Sequence, residues 1–151
     1  MIALDLVVTE SAWKDDDIWR DHFERILKQA ARELPRLQQD LTVAICLSND
    51  EDVRAQNAKW RGRNQVTNVL AFPASGPVTS HFLGDIILAH GAVQRESLDQ
   101  GKSMIDHVCH LFLHGLLHLL GYDHQDTRQA EEMESVEIKI LHALRISNPY
   151  A

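Results

Sequence analysis

Residues 104–120, MIDHVCHLFLHGLLHLL, form a helix-length run that is apolar over most of its circumference yet carries four histidines. Ile105, Val108, Leu111, Phe112, Leu113, Leu116, Leu117 and Leu119 leave no wide polar face, and a helix of that kind is buried on several sides. Ser103 and Asp106 supply an S-x-x-D capping pattern at its start, and Gly121 ends it where the chain must turn left-handed. The rest of the chain therefore has to wrap this helix. The expected fold class is α+β: a small mixed four-stranded sheet with helices packed around a central apolar helix. A chain of 151 residues is long enough to close such a core, and one domain over 1–151 is expected.

Periodicity supplies the remaining elements. Ile2 to Val8 reads as a first strand. Asp15 to Asp17 open a helix whose stripe runs through Ile18, Phe23, Ile26, Leu27, Ala30, Ala31 and Leu34, and Pro35 closes it. Leu41 to Leu47 is a second strand. Ser48 or Asn49 caps a short helix to about Lys59. Strands follow at Val66 to Phe72 and Leu83 to Ala89, separated by the loop-like PASGPVTSHF. Helices are then expected over 91–100, 103–120 and 127–144.

Within the apolar helix, His114 and His118 stand four apart, so they project from one face about one turn from each other. That spacing lets two imidazoles meet one metal ion at roughly 2.0–2.1 Å each. Gly121 lets the chain reverse so that His124 returns to the same ion from the loop. Three protein ligands leave a fourth position for water, the arrangement of a catalytic rather than a structural zinc. Imidazole ligation favours zinc over nickel or manganese, one Zn2+ per chain. His107 and His110 lie on nearly the same face, but the set 110, 114, 118 would be strung along a rigid helix, so a packing or supporting role is expected for both. His22, His81, His90 and His142 are scattered and read as surface or cap residues.

The net charge of −7 argues against a surface that grips nucleic acid everywhere, so any RNA contact must come from a local patch. Cys46 and Cys109 lie far apart in apolar segments and read as buried thiols. The opening MIALDLVVTE lacks a basic segment before an apolar stretch, and no run is long enough to span a bilayer; a cytoplasmic protein without membrane contact is expected.

HxxxHxxGxxH is the zinc frame of the metzincin peptidases, whose general-base glutamate follows the first histidine. Here that position is Gly115. A peptidase would lack its usual base. The densest basic cluster is RAQNAKWRGRN, with Arg54, Lys59, Arg61 and Arg63 around Trp60. An arginine fork suits phosphodiester oxygens and the charge that grows on them during cleavage.

With these residues in place, the chain resembles the YbeY-type endoribonucleases of ribosomal RNA maturation. Three blocks carry the resemblance: NAKWRGRNQVTNVLAFP at 57–73, FLGDI at 82–86 and FLHGLLHLLGYDH at 112–124, with the Glu131–Glu134 run also fitting. The resemblance implies a single-strand-specific, metal-dependent endoribonuclease acting in ribosomal RNA maturation and ribosome quality control. Its partners would be precursor ribosomal RNA and the ribosome or ribosomal proteins, not DNA. It places zinc on His114, His118 and His124 and a catalytic role on Arg61. Lys59 and Arg63 are expected to steer the RNA backbone. Asp85 and Asp123 are candidates for support of the metal ligands or for the base. One departure is visible: the family often has T-D-V-L-S-F where this chain has Thr67-Asn68-Val69-Leu70-Ala71-Phe72, so no acid/base role falls on Asn68. Two rivals stand beside this reading, a zinc metallopeptidase related to the metzincins and a ribosome-associated protein with a structural zinc.

Overall fold

Alternating side chains at 2–8 become strand β1 (Ile2–Val8), whose even-numbered residues turn inward. The chain then runs through α1 (Asp16–Glu33), β2 (Leu41–Ser48), α2 (Asp50–Arg61), β3 (Val69–Pro73), β4 (Phe82–Ala89), α3 (His90–Asp99), α4 (Met104–Leu119) and α5 (Thr127–Ala143). This computed structural model describes residues 1–75 and 81–151; residues 76–80 of the connection read as a loop lie outside the described residues. Two short 3-10 turns, Ser11–Trp13 and Pro35–Gln38, were not legible from periodicity, since one turn is too short to show any. No helix among the described residues is long and apolar enough to cross a membrane.

The four strands form one mixed sheet in the order β1-β2-β4-β3. β1 and β4 both lie parallel to β2, and β3 pairs antiparallel with β4 at the edge. Parallel neighbours need a crossover, and α1 provides it between β1 and β2. The expected mixed four-stranded sheet with a central helix is what the chain adopts.

One face of the sheet, built from Val43, Ile45, Leu47, Ile86 and Leu88, is covered by α1 and α4. Phe23 of α1 meets Phe112 of α4 with ring centroids 4.5 Å apart. Ten residues of α4 are buried, as its circumference demanded. Gly115 lets α4 come down close to the sheet: a Cβ there would stand 3.1 Å from Ile86 Cγ2. On the opposite face, Val53 of α2 joins Leu70, Ala89 and Ala92 in a smaller cluster. That packing sets the C-terminal end of α2 beside the edge strand.

The strand expected from Val66 begins later, at Val69. Asn57 of α2 is buried and donates from Nδ2 to Gln65 O at 2.9 Å, which ties the preceding segment back to the helix instead of to the sheet. The Asn68 side chain then accepts from Val69 N at 2.7 Å and starts the strand.

Candidate metal centre

α4 ends as its sequence requires. Gly121 takes φ +98°, Gly121 N donates to His118 O at 3.0 Å, and Tyr122 N donates to Leu117 O at 3.0 Å, the paired bonds of a Schellman cap. The reversal brings His124 back over the helix. Ring centroids lie 4.6 Å apart for His114 and His118, 5.1 Å for His118 and His124, and 5.7 Å for His114 and His124. One nitrogen from each ring lies within 4.8 Å of the other two.

The tautomers of the helix pair follow from their partners. His114 Nδ1 faces Glu137 Oε1 at 3.1 Å, and His118 Nδ1 faces the backbone oxygen of Tyr122 at 3.0 Å. A carboxylate and a carbonyl only accept, so each Nδ1 carries the hydrogen. In the neutral rings both Nε2 atoms then carry only lone pairs, and they face each other at 3.1 Å. Two lone pairs at that separation repel unless a cation stands against them. Two nitrogens bound tetrahedrally to one ion at roughly 2.0–2.1 Å would themselves be about 3.3 Å apart. The donor set therefore fits a metal such as zinc. Burial, followed by the neighbouring His114 and His124, holds the His118 pKa below its ordinary value and keeps the ring neutral, the form that binds metal.

Glu137 of α5 is the residue that sequence reading missed. It is fully buried, and both of its oxygens are occupied: Oε1 by His114, Oε2 by His110 Nε2 at 2.7 Å and by the Tyr150 hydroxyl at 2.8 Å. Burial pushes its pKa up, but the hydrogen bonds from His110 and His114 outweigh that and hold it down at about 2. The only available signal was a glutamate on the apolar side of α5, between Met133 and Ile140. His110 thus shares the Glu137 carboxylate with His114. His107 meets a carboxylate elsewhere: its Nε2 lies 2.9 Å from Glu96 Oε1, outside the metal centre.

The histidines line an open cleft of about 1170 Å³ running along β3. Arg61, in the last turn of α2, lines the same cleft, as does Arg63. The Arg61 guanidinium donates through Nη2 to Ala71 O at 2.6 Å and lies 5.3 Å from the Phe72 ring centroid. Asp123 lines the cleft as well, with Oδ1 accepting from His124 N at 2.8 Å, so it shapes the loop that carries His124. Lys59 is not among the lining residues; its ammonium lies 4.9 Å over the Trp60 ring. Asp85 is likewise outside the cleft lining. Its neighbour Ile86 packs against Gly115 of α4, so alternation along β4 sends the Asp85 side chain to the other face of the sheet. There partial burial first, and then the Asp5 carboxylate, raise its pKa. Cys109 is buried and its thiol is pushed up to about 12, which makes it inert, as expected of a core thiol.

The cleft side of β3 is a sheet edge, and two of its outward backbone groups are already engaged. Ala74 N donates to Leu83 O and Ala89 N to Asn68 O, so the even-numbered residues of this segment face β4 and Val69, Ala71 and Pro73 face the cleft. Asn68 caps Val69 N, Arg61 caps Ala71 O, and Pro73 has no N–H to offer. An extended peptide would find these groups already used.

Comparison with known proteins places these features in a family. Residues 8–145 match the family described as Endoribonuclease YbeY. The chain is 43% identical to Endoribonuclease YbeY of Maricaulis maris over 150 residues, covering 99% of this chain and 92% of that protein. It is 39% identical to Endoribonuclease YbeY of Agrobacterium fabrum over 163 residues, covering 100% and 97%. The solution structure of TM1509 from Thermotoga maritima shares the fold with a TM-score of 0.62 at 19% identity, covering 94% of this chain and 91% of that one.

Proposed function

Because the chain belongs to the YbeY endoribonuclease family, we propose that it is a zinc-dependent endoribonuclease that cuts single-stranded RNA during ribosomal RNA maturation and ribosome quality control. It would act in the cytoplasm as a single domain over residues 1–151, with precursor ribosomal RNA and the ribosome as partners. The observation that carries the metal assignment is the pair of Nε2 atoms of His114 and His118, 3.1 Å apart while both Nδ1 atoms face acceptors, with His124 beside them.

His114, His118 and His124 would hold one ion. When bound, zinc supplies Lewis acidity to water and to a phosphate oxygen. The remaining work falls on the chain. Glu137 and the Tyr122 carbonyl hold the two helix imidazoles in the ligating tautomer. Arg61 has one N–H group committed to Ala71 O, which aims its planar fork along the cleft, where its other donors can take phosphate oxygens as negative charge grows on them. Arg63, which lines the same cleft, adds positive charge that draws the RNA backbone in.

Two observations speak against the rivals. A peptidase would need a general base where this chain has Gly115, a position tight even for a methyl group. A closed structural zinc site has four protein ligands, whereas three histidines converge here and His124 is solvent-exposed beside an open cleft. The test is zinc analysis of the purified protein together with cleavage of a single-stranded ribosomal RNA fragment by the wild type and by His114→Ala. Stoichiometric zinc and cleavage in the wild type, both lost in the variant, are the expected results; metal-independent cleavage would refute the proposal.

A further inference from the structure

The segment after α5 brings Tyr150 into the cleft, and its path is built. α5 closes with Arg145 at φ +62°, Arg145 N donating to His142 O and Ile146 N to Leu141 O, a second Schellman cap, here with a non-glycine residue in the left-handed region. That turn sends the chain back along α5. Lys102 Nζ donates to Pro149 O at 3.4 Å, and Tyr150 N donates to Asn148 Oδ1 at 2.8 Å. Tyr150 then lines the cleft, with its ring meeting that of His110 edge-on at 5.5 Å. Its hydroxyl donates to Glu137 Oε2 at 2.8 Å.

We infer that Tyr150 is a positioning residue for the metal centre: its hydroxyl clamps the Glu137 carboxylate, which in turn fixes the His114 imidazole, so the site is complete only when the tail is docked. This rests on the reading of His114 as a metal ligand. The physical case lies in how the two carboxylate oxygens are shared. Oε2 takes two donors, His110 and Tyr150, and so is held away from His114, leaving Oε1 aimed at His114 Nδ1. His110 alone cannot supply that rigidity: among the described residues its buried Nδ1 has no hydrogen-bond partner, and its Nε2 meets only Glu137 Oε2 at 2.7 Å and the Tyr150 hydroxyl itself at 3.2 Å. Tyr150 is anchored from outside, through Lys102 and the Asn148 turn. Without its hydroxyl the buried carboxylate keeps only histidine donors, both on α4, and can rotate between them. The His114 tautomer is then no longer enforced.

Tyr150→Phe keeps the ring and deletes the hydroxyl. Zinc affinity is read by competition with a chromogenic chelator, and the His114 tautomer by imidazole nitrogen shifts of the metal-free, full-length protein. Removing a group that orients a ligand costs 10–100-fold in metal affinity. Glu137→Gln should fall in that range, and Tyr150→Phe, one step further out, should lose about 3–10-fold. The metal-free wild type should show His114 protonated at Nδ1, with mixed tautomers in Tyr150→Phe. Wild-type affinity together with an unchanged tautomer in Tyr150→Phe would overturn the inference. Should that variant fold poorly, deletion of Tyr150 and Ala151 serves instead, with the same two readouts and the same overturning result. Failure of the underlying reading looks different: the wild type itself would bind no stoichiometric zinc, or His114→Ala would bind it equally well.

Discussion

Arg61 and Ala71, ten positions apart, are joined by a 2.6 Å hydrogen bond from the guanidinium to the backbone oxygen of the edge strand. The bond commits one donor of the fork and aims the rest, and it occupies one acceptor on a strand edge that faces the cleft. Arg61→Ala should therefore leave zinc content unchanged while lowering RNA cleavage by about 10²–10³-fold. Arg61→Lys keeps the charge but cannot hold Ala71 O and a phosphate with one rigid plane, so it should recover little of that loss. Single-turnover cleavage at saturating zinc measures both. Near-full activity in Arg61→Lys would mean that a point charge suffices.

Gly121 should matter for the metal more than for the fold. A Cβ there meets no atom within 4 Å, so Gly121→Ala is strained only through its φ of +98°. A destabilisation of about 1 kcal/mol in urea unfolding of the metal-free protein is expected. Because that turn carries His124, zinc affinity should fall as well. An unchanged affinity would show that the loop reaches the ion without the left-handed turn.

Asn68 Nδ2 lies 3.0 Å from Glu96 Oε1. Asn68→Asp would turn that hydrogen bond into a contact between two carboxylates. A loss of about 1 kcal/mol at neutral pH is expected, shrinking as pH falls and the pair takes up a proton. Glu96 is partly exposed, so added salt should also shrink it. Equal stability of the two proteins at low and high salt would contradict this.

Acid should destabilise the metal-free protein in two stages. His107 and His118 are held below the ordinary histidine value of 6.5, chiefly by burial. The unfolded chain takes up protons near 6.5 that the folded chain resists, so stability is full above that value and declines as pH drops through it. Glu137, at about 2 against an ordinary 4.5, acts the same way lower down: its contribution is present above 4.5 and is lost toward 2. Thermal melts after chelator treatment, from about pH 8 to about pH 4, should show a falling midpoint. A flat midpoint down to about pH 5 would count against the burial of neutral histidines.

Much of the fold was legible because it depends on neighbours in sequence. The inward residues of β1, a cap of α2 at Ser48 or Asn49 (it is Asn49), and the Ser103 cap and Gly121 end of α4 all follow from local periodicity and capping chemistry. The start of β3 was not, because Asn57 reaches from α2 to hold Gln65 off the sheet. Asp85 shows the same limit. Period-two alternation separates it from Ile86, but only packing decides that α4 takes the Ile86 side.

The histidine spacing is a property of the chain alone: four residues make about one helical turn, and glycine permits the left-handed reversal after it, so His114, His118 and His124 belong together whatever surrounds them. What orients them is not written locally. Glu137 lies 23 positions beyond His114, and Tyr150 is 40 beyond His110, on an element and a tail whose approach no periodic pattern encodes. Those partners meet only because α5 packs beside α4 and Arg145 turns the tail back along it. Which imidazoles converge was local chemistry; how their rings are oriented came from long-range packing.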